Sequence, residues 1–480
     1  MVSRTAALLR HPCALSTMSD TNVRSTAPPF SPALLTDLYA LTMLQAYFEE
    51  QMNDVATFSL FVRHLPERRN YLLACGLDDV LAFLETLRFD QAALTYLDSL
   101  GRFADRFLRH LEQLRFTGDV WAVPEGTPVF ANEPLVEVEA PIAEAQLVEA
   151  FVMNQIHLQT VLASKAARVV EAAAGRPVVD FGLRRIHGTD AGLKAARAFH
   201  IAGVHATSNM AAGQAYGLRV AGTMAHSYIQ AHDDEYEAFR AFARLYPDTV
   251  LLVDTYDTLE GVRKVITLAR ELGPQFHVSA VRLDSGDLGE LARQARSMLD
   301  AAGLQRVTIF ASGGLSEDVI ERLVSAGAPI DGFGVGTEMG VSRDVPGLDI
   351  AYKLVEYGGR ARTKLSTGKT LIPGRKQIFR VERDAVADHD VLGRRDEEPC
   401  GRPLLERVMT GGKRGPGGTP GGQVALDAAR ARANDELRRL PPRVRQLAPA
   451  SPRYSVRLSP ALTHDLDGLA RSYAHETVDQ

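Results

Sequence analysis

The feature that most constrains the fold is an alternation of short apolar segments and helical segments between residues 178 and 340. The apolar segments have the length of buried strands, and a stretch with helical periodicity follows each of the first six. Neighbouring parallel strands need such crossover helices, because every strand starts at the same end of the sheet. The predicted strands are Val178–Phe181, Val204–Thr207, Val220–Met224, Thr249–Val253, Val278–Leu283, Val307–Phe310 and Gly332–Val335. Six βα repeats and a seventh strand predict an α/β fold with a parallel sheet, and the count favours an irregular (β/α) TIM-like barrel over an open doubly wound sheet.

A mixture of helices and strands lies on both sides of this repeat. A helix is predicted from Leu38 to Phe48, a strand at Val55–Val62, and a long helix from Glu144 to Ala174. Residues 410–422 contain seven glycines and two prolines, which predicts a flexible surface loop. We therefore predict a flexible tail over residues 1–30, an α+β domain over 31–150, an α/β barrel domain over 151–350 and a C-terminal segment over 351–480.

The composition restricts the class of partner. Lys and Arg number 54 and Asp and Glu number 59, so the net charge of −5 gives no general attraction to nucleic acid or acidic membranes. Cys13, Cys75 and Cys400 are too few and too scattered for a disulfide framework or a zinc site. No apolar run approaches the roughly 18 residues that span a bilayer. These features predict a soluble protein of a reducing compartment, which we take to be the cytoplasm.

The first 19 residues include Arg4 and Arg10 and no acidic residue. This pattern fits a weak transit peptide as well as a true start at Met18.

Polar residues and glycines follow each of the predicted strands. The carboxyl ends of parallel strands lie together, and enzymes with such sheets place their active sites there. These strand ends read Asp180-Phe181-Gly182-Leu183-Arg184-Arg185, Thr207-Ser208-Asn209, His226-Ser227, Asp254-Thr255-Tyr256-Asp257, Asp284-Ser285-Gly286-Asp287, Ser312-Gly313-Gly314 and Gly334-Val335-Gly336-Thr337-Glu338. Such regular placement favours an active site over a set of ordinary polar loops.

The glycine-containing loops after the last two strands suggest an anion site. Glycines let backbone N–H groups turn towards an anion, and barrels often bind phosphate after their last strands. Ser312-Gly313-Gly314 and Gly336-Thr337 supply such groups on adjacent strands. The alternative is that both segments are simply tight turns.

Asp284 and Asp287 surround a serine and a glycine at the end of the fifth predicted strand. Such a pair can coordinate Mg²⁺ or bind the vicinal hydroxyls of a ribose, and it can equally cap the following helix. Arg282 lies two residues earlier, so its side chain should point the same way as that of Asp284. An arginine at this position favours an anionic ligand or an internal pair with Asp284.

His226 follows an apolar segment and precedes Ser227. A single histidine at a strand end is more often structural than catalytic. The chain has no G-x-S-x-G, H-E-x-x-H or Walker A motif, which argues against a serine hydrolase, a zinc protease and a P-loop nucleotide site.

Several of these segments together resemble the nicotinate phosphoribosyltransferase family of type II phosphoribosyltransferases. The resemblance extends from about residue 33 to about residue 460. The matching segments are Thr36-Asp37-Leu38-Tyr39 with Leu41-Thr42-Met43, Asp180–Arg185, Gly222-Thr223-Met224-Ala225-His226-Ser227, Val281–Leu288, Phe333–Thr337, Pro373-Gly374-Arg375-Lys376-Gln377 and Pro403-Leu404-Leu405-Glu406.

The resemblance implies a fold and a reaction. The fold would be an irregular α/β barrel with a flanking α+β domain, which the N-terminal and C-terminal segments build together. The reaction would join N1 of nicotinate to C1 of phosphoribosyl pyrophosphate, giving nicotinate mononucleotide and pyrophosphate in the salvage branch of NAD biosynthesis. ATP is the co-substrate of this ligase-type reaction, its hydrolysis passes through a phosphohistidine, and His226 is the matching position. Mg²⁺ would accompany the pyrophosphate, and the protein would be a homodimer.

Within that resemblance, the strand-end residues receive specific roles. Nicotinate is a flat ring with a carboxylate, so an aromatic face and an arginine should bind it. Tyr39, Phe181 and Arg282 are the candidates, with Arg184 on a ligand phosphate. We expect Asp284 and Asp287 on the ribose and the metal, and His226 as the residue that takes up phosphate. The remaining predicted binding residues are Ser227 and Ser285, with Ser312, Gly313, Gly314, Gly336 and Thr337 around the 5′-phosphate.

Three other functions remain to be weighed. A related transferase acting on nicotinamide or quinolinate would share most of these residues. A catalytically silent ligand-binding scaffold would also keep the fold, although the intact polar strand ends argue against it. A barrel aldolase would need a Schiff-base lysine at a strand end, whereas Lys194 and Lys264 lie in predicted helices.

Overall fold

The computed structural model describes residues 30–365, 371–398, 400–415 and 422–476. The predicted tail over residues 1–30 therefore lies almost entirely outside the described residues. Residues 416–421, which form the centre of the predicted glycine-rich loop, lie outside them as well.

The N-terminal region mixes strands and helices, as its sequence indicates. Its strands are β1 (Val55–Val62), β2 (Leu72–Leu73), β3 (Asp119–Ala122), β4 (Pro128–Val129) and β5 (Pro134–Pro141). Its helices are α1 (Leu38–Glu49), α2 (Leu77–Thr86), α3 (Gln91–Ser99), α4 (Asp105–Gln113) and α5 (Ile142–Leu147). The predicted helix from Leu38 and the predicted strand Val55–Val62 are confirmed.

A parallel sheet occupies the middle of the chain and begins after the long helix α6 (Glu149–Ala172). Its strands are β6 (Val178–Asp180), β7 (Ala206–Thr207), β8 (Val250–Leu252), β9 (Ala280–Leu283), β10 (Thr308–Ser312) and β11 (Gly332–Val335). The accompanying helices are α7 (Thr189–Ile201), α8 (Met210–Tyr216), α9 (His226–Gln230), α10 (Glu235–Leu245), α11 (Thr258–Leu272), α12 (Leu288–Ala301), α13 (Glu317–Ser325) and α14 (Thr337–Gly340). The strand order β7-β6-β11-β10-β9-β8 leaves β7 and β8 at the two edges, so the sheet is a half-barrel.

The predicted strand Val220–Met224 is wrong, and its absence leaves the half-barrel open. In this segment only Val220 forms a bridge, to Thr207 of β7. Ala221 donates its backbone N–H to the same Thr207 at 2.9 Å. The carbonyl of Met224 instead accepts a hydrogen bond from Arg282 at 3.2 Å. The segment therefore satisfies its backbone groups on β7 and on a side chain rather than along a strand edge.

Most strands of the C-terminal region pair antiparallel, whereas residues 389–392 and 455–458 form a parallel pair. Its strands are β12 (Ile350–Tyr357), β13 (Arg360–Ala361), β14 (Lys376–Arg383), β15 (Val386–Arg394), β16 (Arg402–Pro403), β17 (Glu406–Thr410), β18 (Lys413–Arg414) and β19 (Ser455–Leu458). Its helices are α15 (Gln423–Arg439), α16 (Pro442–Arg445) and α17 (Pro460–Glu476). No helix in the described ranges is long and apolar enough to cross a membrane.

Strands from both ends of the chain share one seven-stranded sheet, with the order β13-β12-β1-β5-β3-β17-β18. Strand β1 lies inside this sheet between β5 and β12, and each of its residues except Val55 is buried. Phe58 of β1 stacks on Tyr352 of β12 with ring centroids 4.9 Å apart. A separate sheet with the order β16-β14-β15-β19 is built wholly from the C-terminal region.

A buried arginine joins this second sheet to its surroundings. Arg380 of β14 makes a bidentate ion pair with Asp390 of β15, at 3.0 and 2.7 Å. It also donates to Glu436 of α15 at 3.3 Å and to the carbonyl of Pro128 at 2.9 Å. Both Arg380 and Asp390 are almost completely buried. Each of these two buried charges therefore needs the other as its partner, because an isolated buried charge is costly.

We predict that Arg380→Met lowers the free energy of unfolding by about 3–5 kcal/mol, because it leaves the Asp390 carboxylate buried without its main partner. Denaturant unfolding followed by circular dichroism measures this loss. The matched control is Arg383→Met on the same strand, because the Arg383 to Asp388 pair is solvent-exposed. The control should change stability by less than about 0.5 kcal/mol. Similar losses in the two variants would contradict this assignment.

Candidate active site

The carboxyl ends of β8, β9 and β10 are held together by hydrogen bonds to two aspartates. Asp284 follows β9, and its carboxylate accepts a hydrogen bond from the hydroxyl of Ser312 at the end of β10. Asp254, two residues beyond the end of β8, accepts from the backbone N–H of Asp284 at 3.0 Å and from the hydroxyl of Ser285 at 2.6 Å. These bonds tie the Asp254 carboxylate to the backbone of Asp284 and the Asp284 carboxylate to Ser312, all at one end of the sheet.

His226, the first residue of α9, lies beside these carboxylates. Its Nδ1 atom is 3.2 Å from the hydroxyl of Thr255, and its Nε2 atom is 3.9 Å from Oδ2 of Asp284. The His226 and Asp284 side chains are 41% and 35% exposed, so an incoming ligand can reach both. Asp284 is the carboxylate that the ring faces, and Thr255 is the hydroxyl that orients it.

Arg282 extends from β9 towards the same end of the sheet. Burial lowers the pKa of Arg282, while Asp284 and Asp254 act in the opposite direction. One guanidinium N–H reaches the Met224 carbonyl, but the buried Nε atom has no hydrogen-bond partner among the described residues. An unsatisfied buried donor on a cation is costly, which points to an anionic ligand at this position.

An aromatic ring lies next to this guanidinium. The centre of the Arg282 guanidinium is 5.8 Å from the centroid of the Phe181 ring. Phe181 also packs on Gly334, where an added Cβ would lie 2.5 Å from the ring, so only glycine leaves room for it. The site thus presents a flat apolar face beside a cation.

The first glycine loop is tight because it packs on Asp284. Gly313 has φ of +83°, and a Cβ added there would lie 1.8 Å from the backbone oxygen of Asp284. Gly314 has φ of +61° and faces open space. The second loop continues through Gly336 into α14, and Thr337 there is half-buried. Gly313 makes the tight turn, and the neighbouring Gly314 leaves its backbone exposed. One loop can therefore be both a tight turn and an anion site.

Four further predicted site residues are Tyr39, Asp287, Arg184 and Ser227. Tyr39 donates its hydroxyl proton to Glu149 at 2.7 Å, and burial followed by this hydrogen bond raises the pKa of Tyr39. Asp287 caps α12 by accepting from the backbone N–H of Glu290 at 3.1 Å, which confirms the capping alternative. Arg184 and Ser227 are exposed. The binding roles of these four residues stay predictions.

Asp254 and Thr255 receive no role from the sequence, although both stand among the strand ends. Their position directly after a parallel strand was the available signal. The sequence does not show which strands are neighbours in the sheet. That order brings Asp254 to the backbone of Asp284 and Thr255 to His226. Asp180 is a third such residue, and it orders the loop after β6 by accepting from Gly182 and Thr207, both at 2.7 Å.

The oxygen donors suit Mg²⁺ bound jointly with a phosphorylated ligand. No group of three or more His, Cys, Asp or Glu in the described part of the chain is placed to bind a metal by itself. Mg²⁺ typically uses one or two carboxylates and takes its other ligands from substrate phosphates and water. Asp284 supplies such a carboxylate, and the buried Oδ1 atom of neighbouring Asp254 has no hydrogen-bond partner among the described residues.

Comparisons with known proteins identify the relatives of this chain. The family model described as the nicotinate phosphoribosyltransferase N-terminal domain matches residues 34–157. The model of the quinolinate phosphoribosyl transferase C-terminal domain matches residues 162–353, which include the half-barrel. Sheet, site and models together define an α/β enzyme of the phosphoribosyltransferase class.

Individual relatives narrow this class to one family. A nicotinate phosphoribosyltransferase of Mycobacterium tuberculosis is 56% identical over 90% of this chain and 93% of its own length. The Bacillus subtilis nicotinate phosphoribosyltransferase is 41% identical over 77% of each chain. The crystal structure of human nicotinic acid phosphoribosyltransferase superposes with a TM-score of 0.79 at 29% identity, covering 90% of this chain and 99% of the human one. The chain belongs to the nicotinate phosphoribosyltransferase family.

We predict that Gly313→Ala destabilises the protein more than Gly314→Ala does. Both alanines bear the strain of positive φ, about 1 kcal/mol. Only the alanine at position 313 would also collide with the Asp284 carbonyl, which forces the backbone of the loop to move. Free energies of unfolding from denaturant titration measure the difference. Equal losses would show that the loop does not pack on Asp284 in solution.

Proposed function

We propose that the protein transfers the phosphoribosyl group of phosphoribosyl pyrophosphate to N1 of nicotinate. The products are nicotinate mononucleotide and pyrophosphate, and the reaction belongs to the salvage branch of NAD biosynthesis. The observation that carries this proposal is the partly buried Arg282 guanidinium beside the Phe181 ring and close to two carboxylates, with an Nε atom that has no hydrogen-bond partner among the described residues. Arginine binds a planar carboxylate well, and the aromatic ring offers a face for a pyridine.

The carboxylates suit the sugar chemistry. Departure of pyrophosphate from C1 leaves positive charge on the ribose ring, as in glycoside chemistry. Asp284 lies where it can bind the ribose hydroxyls and offset this charge. In the proposal Asp284 and Asp287 are the ligands of Mg²⁺, with Asp254 as a further donor. When bound, Mg²⁺ would neutralise the leaving pyrophosphate.

The two glycine loops are the proposed site for the 5′-phosphate. Backbone N–H groups at glycines can converge on a phosphate because no side chain blocks them. The proposed contacts come from Ser312, Gly313, Gly314, Gly336 and Thr337. The exposed Arg184 would add a positive charge to this phosphate or to the pyrophosphate, and Ser227 and Ser285 complete the polar lining.

His226 is the proposed site of ATP coupling. Its ring nitrogen would attack the γ-phosphorus of ATP, form an N–P bond and release ADP, and water would later hydrolyse that bond. Only an uncharged nitrogen has the lone pair for this attack. The hydroxyl of Thr255 fixes the ring by its contact with Nδ1 and leaves Nε2 on the side of Asp284.

We also propose a homodimer that works in the cytoplasm, where a reducing environment suits the free thiols of Cys75 and Cys400. The exposed Tyr39 contacts Glu149 rather than His226 or Arg282, and in this proposal it serves a site near the dimer interface.

The seven-stranded sheet combines strands from both ends of the chain. It supports a flanking domain that the N-terminal and C-terminal segments build together. The six-stranded half-barrel is then the open form of the irregular TIM-like barrel that the resemblance implies.

The direct test is an acceptor panel. Purified protein is incubated with phosphoribosyl pyrophosphate, Mg²⁺ and ATP, and with nicotinate, nicotinamide or quinolinate at equal concentration. We expect nicotinate mononucleotide as the main product, with ATP consumed alongside. A preference for another acceptor would identify a related transferase, and ligand binding without turnover would identify a silent scaffold. Either result would refute the proposal.

We predict that His226→Ala abolishes the dependence of the reaction on ATP while slow, uncoupled transfer persists, because separate groups serve the sugar and the ATP. The ratio of ATP hydrolysed to mononucleotide formed measures the coupling. His232→Ala is the control, since His232 is tied to the Tyr228 carbonyl at 2.9 Å and not to Thr255. An unchanged ratio in His226→Ala would contradict the assignment.

A further inference from the structure

A buried cluster of charges joins the segments that continue from the two glycine loops. Its members are Arg69, Lys165, Arg168, Glu317 and Asp344, and we call it the loop-anchor cluster. Glu317 is the first residue of α13 and stands three positions after Gly314 in the chain. Asp344 lies just beyond α14, the helix that begins at Thr337. Each carboxylate therefore follows one of the two glycine loops in the chain.

Lys165 of α6 bridges these two carboxylates. Its Nζ atom lies 2.5 Å from Oε2 of Glu317 and 2.7 Å from Oδ1 of Asp344. The Lys165 side chain is 2% exposed and that of Glu317 is fully buried. A single ammonium group thus connects the segments that follow β10 and β11.

Each carboxylate also has a second cation of its own. Arg168 donates to Oε1 of Glu317 at 3.1 Å, and its other contact is the Leu447 carbonyl. Arg69 donates to Asp344 at 2.7 and 3.2 Å. Burial acts to raise the pKa of Asp344, but the hydrogen bonds from Arg69 and Lys165 prevail and hold that pKa well below its usual range.

The exit of the second loop is itself strained. Ser342, between α14 and Asp344, has φ of +43°, which a non-glycine residue rarely adopts. Its hydroxyl donates to the Val345 carbonyl at 2.7 Å and receives a hydrogen bond from Arg69 at 3.4 Å. The cluster therefore holds this turn in a conformation that the backbone would not choose alone.

A purely stabilising role would not need these ions. Replacing buried ion pairs by apolar side chains is often neutral or stabilising, so charges in a core can serve instead to specify one arrangement. Arg68 also spans the two segments, at 2.6 Å from Asp318 and 4.0 Å from Asp344, but its side chain is 42% exposed. Its contribution is weakened by solvent.

We propose that Lys165 is a positioning residue for the binding of phosphoribosyl pyrophosphate. Its ammonium fixes the separation of the two glycine loops, so that their backbone N–H groups converge on one phosphate. This inference rests on the proposed function, because it takes these loops to be the phosphate site. Lys165 acts through Glu317 and Asp344 and does not touch the substrate itself.

The decisive substitution is Lys165→Met, which removes the bridge but leaves Glu317 paired with Arg168 and Asp344 paired with Arg69. We expect the Kd for phosphoribosyl pyrophosphate with Mg²⁺, measured by calorimetry, to rise by about tenfold or more as the loops lose their relative position. At saturating phosphoribosyl pyrophosphate, the KM for nicotinate should change by less than about twofold, since Arg282 and Phe181 lie outside the cluster.

Two further variants separate positioning from stability. Arg168→Met also removes a buried cation but touches only the first loop, so its Kd should stay within about threefold of wild type. Lys165→Arg retains the charge and should recover most of the binding. Lys165→Gln provides an amide that can bond one carboxylate, and it replaces Lys165→Met in the measurement if the methionine variant does not fold.

The outcomes are distinct. A wild-type-like Kd in folded Lys165→Met or Lys165→Gln overturns the inference, as does an equal loss in Arg168→Met. Wild-type protein that binds phosphoribosyl pyrophosphate but forms no nicotinate mononucleotide refutes the proposed reaction while leaving the inference testable by the same titration. Wild-type protein that does not bind it refutes both.

Discussion

The candidate site depends above all on the hydrogen bonds that hold Asp254 and Asp284 side by side. Neighbouring carboxylates repel each other unless hydrogen-bond donors or cations surround them. Here the donors are the backbone N–H of Asp284 and the hydroxyls of Ser285 and Ser312. Because these donors come from the ends of neighbouring parallel strands, the sheet itself sets the spacing of the acids. The close approach of Gly313 to the Asp284 carbonyl follows from the same packing.

The open edge of the half-barrel is the second constraint. Residues 220–224 do not continue the sheet, so their backbone is free to meet side chains of the site. The Met224 carbonyl accepts a hydrogen bond from Arg282, and the chain then turns into α9, which begins at His226. As the first residue of this helix, His226 lies beside Thr255 and Asp284.

Much of the fold and part of the site could be predicted from local patterns. Strand β1 and helix α1 were predicted at nearly their observed bounds, because their apolar periodicity reflects burial directly. Arg282 and Asp284 were predicted to face the same way from alternation along one strand, and both do reach the site. The structural roles of Asp254 and Thr255 could not be assigned, since they arise from strand order. The buried ion pairs that Arg380 and Lys165 each form could not be predicted either, because their partners are distant in sequence or on separate elements.

From the chain alone, an α/β fold with a parallel sheet and membership of the nicotinate phosphoribosyltransferase family could be predicted. These properties depend on the spacing of apolar residues and on short motifs. Both can be recognised in the sequence without coordinates. The packed chain is needed to see that the parallel sheet is a half-barrel, that Asp287 caps a helix while Asp254 accepts from the backbone of Asp284, and that one lysine bridges two carboxylates. Hydrogen bonds and buried ion pairs depend on distances of a few ångströms between remote residues. Those distances are set only when the whole chain has packed.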